Sequence, residues 1–120
     1  RTTGETLSMK FDEHRVLSAL YHSWSIVTAA QWSPDNPAKG QCNVTALMIQ
    51  DLFGGDILKT PLAEGEHFYN RIDGARYDFT SSQFEQPIDY ADVVTDRDDA
   101  AQGTTRHELT TLQQAFEKHY

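Results

Sequence analysis

The side chains of Cys42, His67 and Asp78 are of the three types that nucleophilic acyl transfer needs. Cys42 is the single cysteine of the chain and follows Gly40 and Gln41 at the predicted start of an apolar helix. The N-terminus of a helix carries partial positive charge, which favours a thiolate over a thiol. A thiolate can attack a carbonyl carbon when a base moves the proton and a third group orients the base. We therefore expect Cys42 to be a nucleophile.

His67 and Asp78 lie on the two arms of a predicted β-hairpin whose turn is Asp73-Gly74. Asp-Gly between alternating polar and apolar residues is a strong hairpin signal. A two-residue turn places His67 and Asp78 on the same face of adjacent strands, as diagonal neighbours roughly 7 Å apart at the backbone. The sequence therefore predicts a histidine base with Asp78 as its orienting carboxylate.

Two further residues are candidates for supporting roles. The backbone N–H groups at the start of the helix can stabilise the oxyanion that forms on the attacked carbonyl, with help from the side chain of Gln41 or from the preceding loop. Asn70 replaces Asp78 as the orienting group if the strand register differs, and Asp78 then pairs with a neighbouring arginine instead. Cys42 as a packing residue and His67 as a core histidine are the structural alternatives.

Helices at three places would position these residues. Apolar residues at three-and-four spacing predict a first helix from residue 12 to about residue 29. The sequence CNVTALMIQDLF over residues 42–53 is apolar on most sides and predicts a central helix that ends at Gly54-Gly55. A capping box at residues 105–108 predicts the start of a last helix.

Alternating residues predict strands at about 56–62, 66–72 and 75–80, whereas residues 86–103 are typical of an irregular acidic connection. Together these elements predict an α+β fold in which a central helix beginning at the cysteine packs on a small antiparallel sheet. Residues 9–120 are expected to form a single domain, and residues 1–8 to be added or upstream residues.

The charge and composition exclude several classes of function. The chain of 120 residues carries a formal net charge of -8 without any basic run, which argues against nucleic-acid binding. No apolar stretch is long enough to span a bilayer, and no signal peptide or disulfide pattern is present, so we expect a cytoplasmic protein without membrane partners. Metal-ligand motifs are absent and the sequence implies no cofactor.

Several motifs between residues 24 and 84 match a known family. They are WSPDNP at 32–37, GQCNVTAL at 40–47, QDLFGG at 50–55, HFYNR at 67–71, DG at 73–74, DFT at 78–80 and QF at 83–84. With them the chain resembles the YunG-like family of small bacterial proteins. The order of a helix-start cysteine, a strand histidine and a polar residue on the next strand is also similar to that of NlpC-type and papain-like thiol peptidases. This resemblance implies a papain-like core with Cys42, His67 and Asp78 in matching roles.

The sequence leaves three classes of function open. The first is a cysteine-dependent hydrolase or acyl transferase, peptidase- or amidase-like, that acts on an unidentified small molecule or peptide with an amide, thioester or related carbonyl. The second is a binding or interaction module on the same fold without catalysis. The third is an effector or toxin domain of a longer chain. Neither the substrate nor the oligomeric state follows from the sequence.

Overall fold

The structure is a computed structural model that describes residues 9–120. Its helices are α1 (Glu13–Ser23), α2 (Cys42–Phe53), α3 (Arg97–Ala101) and α4 (Arg106–His119), and its strands are β1 (Asp56–Leu62), β2 (Gly65–Ile72), β3 (Ala75–Tyr77) and β4 (Val93–Thr95). All strand pairs are antiparallel, in the order β3-β2-β1-β4. The predicted α+β composition with a small antiparallel sheet is thus confirmed. The expectation for residues 1–8 concerns residues outside the described range.

Helix α2 is the central element of the structure. It spans the predicted residues, and all of its residues from 44 to 49 are buried. The helix lies between β2 on one side and α4 on the other, so apolar side chains are needed around most of its circumference. Gly54 ends it with a φ of 81° and a ψ of -156°, a positive-φ conformation that glycine adopts without steric cost.

The hairpin between β2 and β3 has the predicted two-residue turn. Asp73 and Gly74 have φ values of 49° and 81°, as a type I′ turn requires. Ile72 therefore pairs with Ala75, and the pairing continues up to Tyr77. The expected strand over residues 75–80 was too long, because the chain turns away after Tyr77 into a short 3-10 helix at residues 81–83.

Helix α1 ends earlier than the spacing predicted. It stops at Ser23 instead of near residue 29, because Trp24 is extended with a ψ of 139°. The indole N–H of Trp24 donates to the hydroxyl of Thr45 at 2.9 Å inside the core. A tertiary contact thus overrides the helical pattern, and the hydroxyl of Thr28 then closes the following turn by accepting from the N–H of Ser25 at 2.9 Å.

The segment over residues 86–103 is more ordered than predicted. Residues 93–95 form β4, which pairs with β1 opposite residues 57–59. Asp96 then caps α3 by accepting from the N–H of Asp99. Both elements are too short to produce a readable periodicity, and this is why the sequence predicted an irregular connection.

Helix α4 has the predicted capping box, in which Thr105 and Glu108 each bond to the other's backbone N–H. It buries Leu112 and Phe116 against α1 and α2. Over residues 9–120, every helix falls short of the length and apolar character that crossing a bilayer would require.

Candidate functional site

Three elements bring Cys42, His67 and Asp78 together. Cys42 is the first residue of α2, His67 lies in β2, and Asp78 is the residue after β3. The Nε2 atom of His67 and the Oδ2 atom of Asp78 are 2.7 Å apart, and the two side chains are only 3% and 4% exposed. The hairpin register that the Asp73-Gly74 turn imposes accounts for this contact.

The carboxylate of Asp78 is held by more than the histidine. Its Oδ2 atom also accepts from the hydroxyl of Tyr90 at 2.7 Å. Its Oδ1 atom accepts from the backbone N–H and the hydroxyl of Thr80, at 3.2 and 3.3 Å. Four donors thus fix this carboxylate with one oxygen toward the imidazole, which satisfies a buried charge.

His67 is enclosed by aromatic rings. The ring of Phe84 meets it edge-on at 4.8 Å, and the ring of Tyr69 stacks on it at 5.7 Å. Burial alone lowers the pKa of His67, but hydrogen bonds to Asp78 and to Cys42, together with their charges, raise it to about 9. Because Nε2 is engaged by Asp78, Nδ1 is the ring nitrogen left for the sulfur of Cys42. The imidazole therefore lies between the carboxylate and the thiol, and its raised pKa favours the protonated form.

Cys42 and His67 both line a cavity of about 660 Å³. Its walls come from the loop before α2, the β1–β2 turn, residues 83–84 and the start of α4. Several lining residues are exposed, among them Gln31 and Glu64, so solvent reaches the cavity. Cys42 itself is partly exposed. A cavity of this size accommodates a small molecule or the side chains of a short peptide.

A second side chain contacts the thiol. The Oδ1 atom of Asn43 accepts from the sulfur of Cys42 at 3.4 Å, while its Nδ2 atom donates to the backbone carbonyl of Ala100 at 2.9 Å. A Cβ atom at Gly103 would lie 2.5 Å from that Nδ2 atom. The end of α3 and Gly103 therefore hold the amide of Asn43 against the sulfur of Cys42.

Gln41 and Asn70 lie away from the cavity. The side chain of Gln41 is completely buried, and it accepts from the hydroxyl of Thr28 at 2.9 Å and donates to the carbonyl of Ser25 at 3.4 Å. The Nδ2 atom of Asn70 donates to the carbonyl of Ala46 at 3.0 Å and so ties β2 to α2. The expected oxyanion role of Gln41 is thus not met, because its side chain anchors the preceding loop. Asn70, the alternative orienting group, bonds to α2, while Asp78 bonds to the histidine.

Sequence reasoning missed Gln31, Asn43 and Tyr90. Gln31 lines the cavity and packs on Gly40, where a Cβ atom would lie 3.0 Å from its Oε1 atom. Gly40 also has a φ of 76°, so only glycine fits there easily. The glycine before Gln41 and Cys42 was thus a sequence signal for the close packing of Gln31. No local pattern connects Asn43 with residues 100–103, or Tyr90 with Asp78, so the positions of these two side chains could not be predicted.

The acidic segment does not gather into a metal site. Within residues 9–120, no cluster of three or more histidine, cysteine or carboxylate side chains has the arrangement of metal ligands. Its carboxylates instead bond to specific partners: Asp92 pairs with Arg76 at 2.5 Å, and Asp99 pairs with Lys59 at 2.7 Å. The arginine that could have competed for Asp78 is thus engaged by Asp92.

The comparisons with known proteins agree on one family. The family profile described as "YunG protein" matches residues 12–120. A protein of Bacillus subtilis (strain 168) described as "Uncharacterized protein YunG" is 46% identical over 100 residues, which cover 83% of this chain and 87% of that protein. No solved structure matches the chain. The match of nearly the whole described range, together with this degree of identity, shows that the chain belongs to the YunG family.

Proposed function

We propose that this protein is a cysteine-dependent hydrolase or acyl transferase with a papain-like arrangement of Cys42, His67 and Asp78. The observation that carries the proposal is the placement of Cys42 and His67 on the wall of one open cavity of about 660 Å³, with the imidazole held by Asp78 at 2.7 Å. A packing cysteine needs neither a charged partner nor access to solvent.

The first half of the reaction forms an acyl-enzyme. With the pKa of His67 raised to about 9, the imidazolium stabilises a neighbouring thiolate at neutral pH. The thiolate attacks the carbonyl carbon, a C–S bond forms, and the π electrons move to oxygen. Backbone N–H groups of the first turn of α2 have no carbonyl partners within the helix and can donate to this oxyanion. The intermediate collapses when the bond to the leaving group breaks, and His67 protonates that group.

The second half returns the enzyme to its starting state. His67, now neutral, takes a proton from water or from an acceptor nucleophile that attacks the thioester carbon. The C–S bond then breaks and the thiolate leaves. The protonated His67 and the thiolate are regenerated together. Asp78 keeps Nε2 protonated throughout and stabilises the imidazolium, without itself exchanging a proton.

Acylation of the thiol tests the proposal without knowledge of the natural substrate. We expect p-nitrophenyl acetate to give a burst of p-nitrophenol and an acetyl group on Cys42, identified by peptide mass. Cys42→Ser should abolish the burst, and His67→Ala should slow it by at least about a hundredfold, as expected for loss of a general acid–base residue. Both variants should keep the wild-type fold by circular dichroism.

Alkylation by iodoacetamide measures the nucleophilicity of Cys42 independently of acylation. Wild-type Cys42 should alkylate rapidly at pH 6, where a free thiol with a pKa of about 8.5 is almost fully protonated. In His67→Ala the alkylation rate should rise only as the pH approaches about 8.5, the pKa of a free thiol. If wild type and His67→Ala share one pH profile and neither is acetylated, the cysteine is not a catalytic nucleophile and a binding module on the same fold is the better description.

A further inference from the structure

Among residues 9–120, Tyr90 is the donor to Asp78 that lies beyond both the β2–β3 hairpin and the 3-10 helix that follows it. Its hydroxyl donates to the same Oδ2 atom that faces His67, and both contacts are 2.7 Å long. The two bonds from Thr80 go to the other oxygen and are longer, at 3.2 and 3.3 Å. The orientation of Oδ2 toward the imidazole thus depends on Tyr90 more than on Thr80.

The ring of Tyr90 is itself fixed in place. It packs edge-on against the ring of Tyr69 at 5.0 Å, and the guanidinium of Arg76 lies over it at 4.3 Å. Arg76 in turn bonds through two nitrogens to Asp92, at 2.8 and 2.5 Å. These contacts hold the ring of Tyr90 between the ring of Tyr69 and the guanidinium of Arg76.

The backbone beside Tyr90 is attached to the sheet as well. The N–H of Ala91 donates to the hydroxyl of Thr60 at 2.8 Å. The N–H of Asp92 donates to the hydroxyl of Tyr69 at 2.9 Å, and that hydroxyl donates to the carboxylate of Asp92, also at 2.9 Å. Residues 90–92 are thus bound along β1 and β2, on the face that carries His67. We call residues 90–92 the latch.

We infer that Tyr90 is a positioning residue, which acts on His67 through Asp78 by holding Oδ2 toward the imidazole. This role rests on the proposed function, because an oriented imidazole matters most if it activates Cys42. Burial and the bond to Asp78 raise the pKa of Tyr90, so the hydroxyl remains a donor throughout the pH range in which a thiol hydrolase works. Through the bond of Tyr90 to Asp78, the latch therefore belongs to the site although it lies outside the hairpin that carries His67.

Tyr90→Phe removes the hydroxyl and keeps the ring. Without this donor the carboxylate of Asp78 can turn away from Nε2, so the imidazolium becomes less stable. We expect alkylation of Cys42 at pH 6 to slow about three- to tenfold, the effect of losing one ordinary hydrogen bond, with the rate above pH 9 unchanged. The pKa of His67, followed by NMR of its ring protons, should fall below the wild-type value.

Tyr120→Phe is the matched control. It removes a tyrosine hydroxyl that donates to the backbone carbonyl of Lys10, remote from the cavity, and should leave both readouts unchanged. Arg76→Gln serves as a second variant if Tyr90→Phe does not fold. It loosens the ring without removing the hydroxyl, and should shift both readouts in the same direction by a smaller factor.

Two results would overturn the positioning role. One is a pH profile and a His67 titration within twofold of wild type in Tyr90→Phe. The other is a rise in the His67 pKa, which would show that the hydroxyl only withdraws charge from Oδ2. Wild-type acylation separates this inference from the proposed function. If wild type is not acylated but Tyr90→Phe shifts the His67 titration, the proposed function fails and the positioning role holds. If wild type is acylated but Tyr90→Phe leaves the titration unchanged, only the positioning role is rejected.

Discussion

Helix α2 and the segment of residues 86–103 contribute to the same site in different ways. The helix places Cys42 through apolar packing, with six consecutive buried residues between β2 and α4. The later segment has short elements and many exposed residues, and it contacts the site through single polar bonds, those of Tyr90 to Asp78 and of the Ala100 carbonyl to Asn43. Packing thus supplies stability, and the later segment supplies orientation.

This contrast predicts that substitutions in the two regions separate stability from thiol chemistry. Burial of apolar surface is worth about 25 cal/mol per Å² and does not depend on the direction of any one bond. A hydrogen bond contributes only about 1 kcal/mol to stability but depends steeply on geometry. Changes in α2 should therefore lower the free energy of unfolding, whereas changes in the later segment should alter the pH profile of Cys42.

The largest effect is expected in the core of α2. Leu47 is 1% exposed, so Leu47→Ala should lower the free energy of unfolding by about 2–5 kcal/mol through lost burial and a cavity. Denaturant titration measures this loss. Val94→Ala is the control on β4, where the side chain is 57% exposed, and it should change stability by less than about 0.5 kcal/mol. Equal losses in the two variants would contradict the assignment of α2 as the core element.

The next effect is the pH dependence that His67 contributes. Its pKa of about 9 in the folded chain exceeds the value of about 6.5 for an unfolded histidine. The resulting stabilisation is therefore complete below about pH 6.5 and is lost as the pH rises to about 9. At about 1.4 kcal/mol per pKa unit, the loss is at most on the order of 3 kcal/mol. Wild type should lose this stability between pH 6.5 and 9 in urea titrations, and His67→Gln should not. Parallel curves for the two proteins would mean that the imidazole is not charged in the fold.

Sequence patterns predicted the elements with strong repetition or strong turn chemistry. The bounds of α2, the Asp73-Gly74 turn and the capping box at Thr105 all followed from local residues. The contact between His67 and Asp78 followed in turn from the register that the turn fixes. What the sequence could not provide were polar contacts that no local pattern relates, such as those of Asn43 with Ala100 and of Tyr90 with Asp78. Gln41 appeared suited to an oxyanion role by its position alone, yet the hydroxyl of Thr28 directs its side chain into the core.

A smaller effect is expected where Gly103 meets Asn43. Gly103→Ala would place a Cβ atom 2.5 Å from the Nδ2 atom of Asn43, so the amide must move away from Cys42. The carbonyl oxygen of Asn43 accepts from the thiol, so its displacement frees the sulfur from this bond and should speed alkylation at pH 6 roughly two- to fivefold. Stability should fall by about 1 kcal/mol as the bond to Ala100 is lost.

Gly54→Ala is the matched glycine control for that prediction. A Cβ atom at Gly54 meets nothing within 4 Å, although its φ of 81° still disfavours alanine. Gly54→Ala should lower stability by about 1–3 kcal/mol, the cost of a backbone conformation essentially confined to glycine, and leave the alkylation rate at pH 6 unchanged. Slower alkylation in Gly103→Ala, or the same change in both variants, would contradict the contact between Asn43 and the thiol.

The smallest effect is expected at the turn that fixes the register of the site. Asp73 has a φ of 49°, and asparagine is favoured over most residues at this position of a type I′ turn. Asp73→Asn should therefore raise the free energy of unfolding by a few tenths of a kcal/mol, measured by denaturant titration. Because Ile72 still pairs with Ala75, Asp78 keeps its place beside His67, and the pH profile of Cys42 should not change. A shifted profile in this variant would show that the turn residue influences the site beyond setting the strand register, so the packing of the hairpin and the orientation of the triad could not be treated separately.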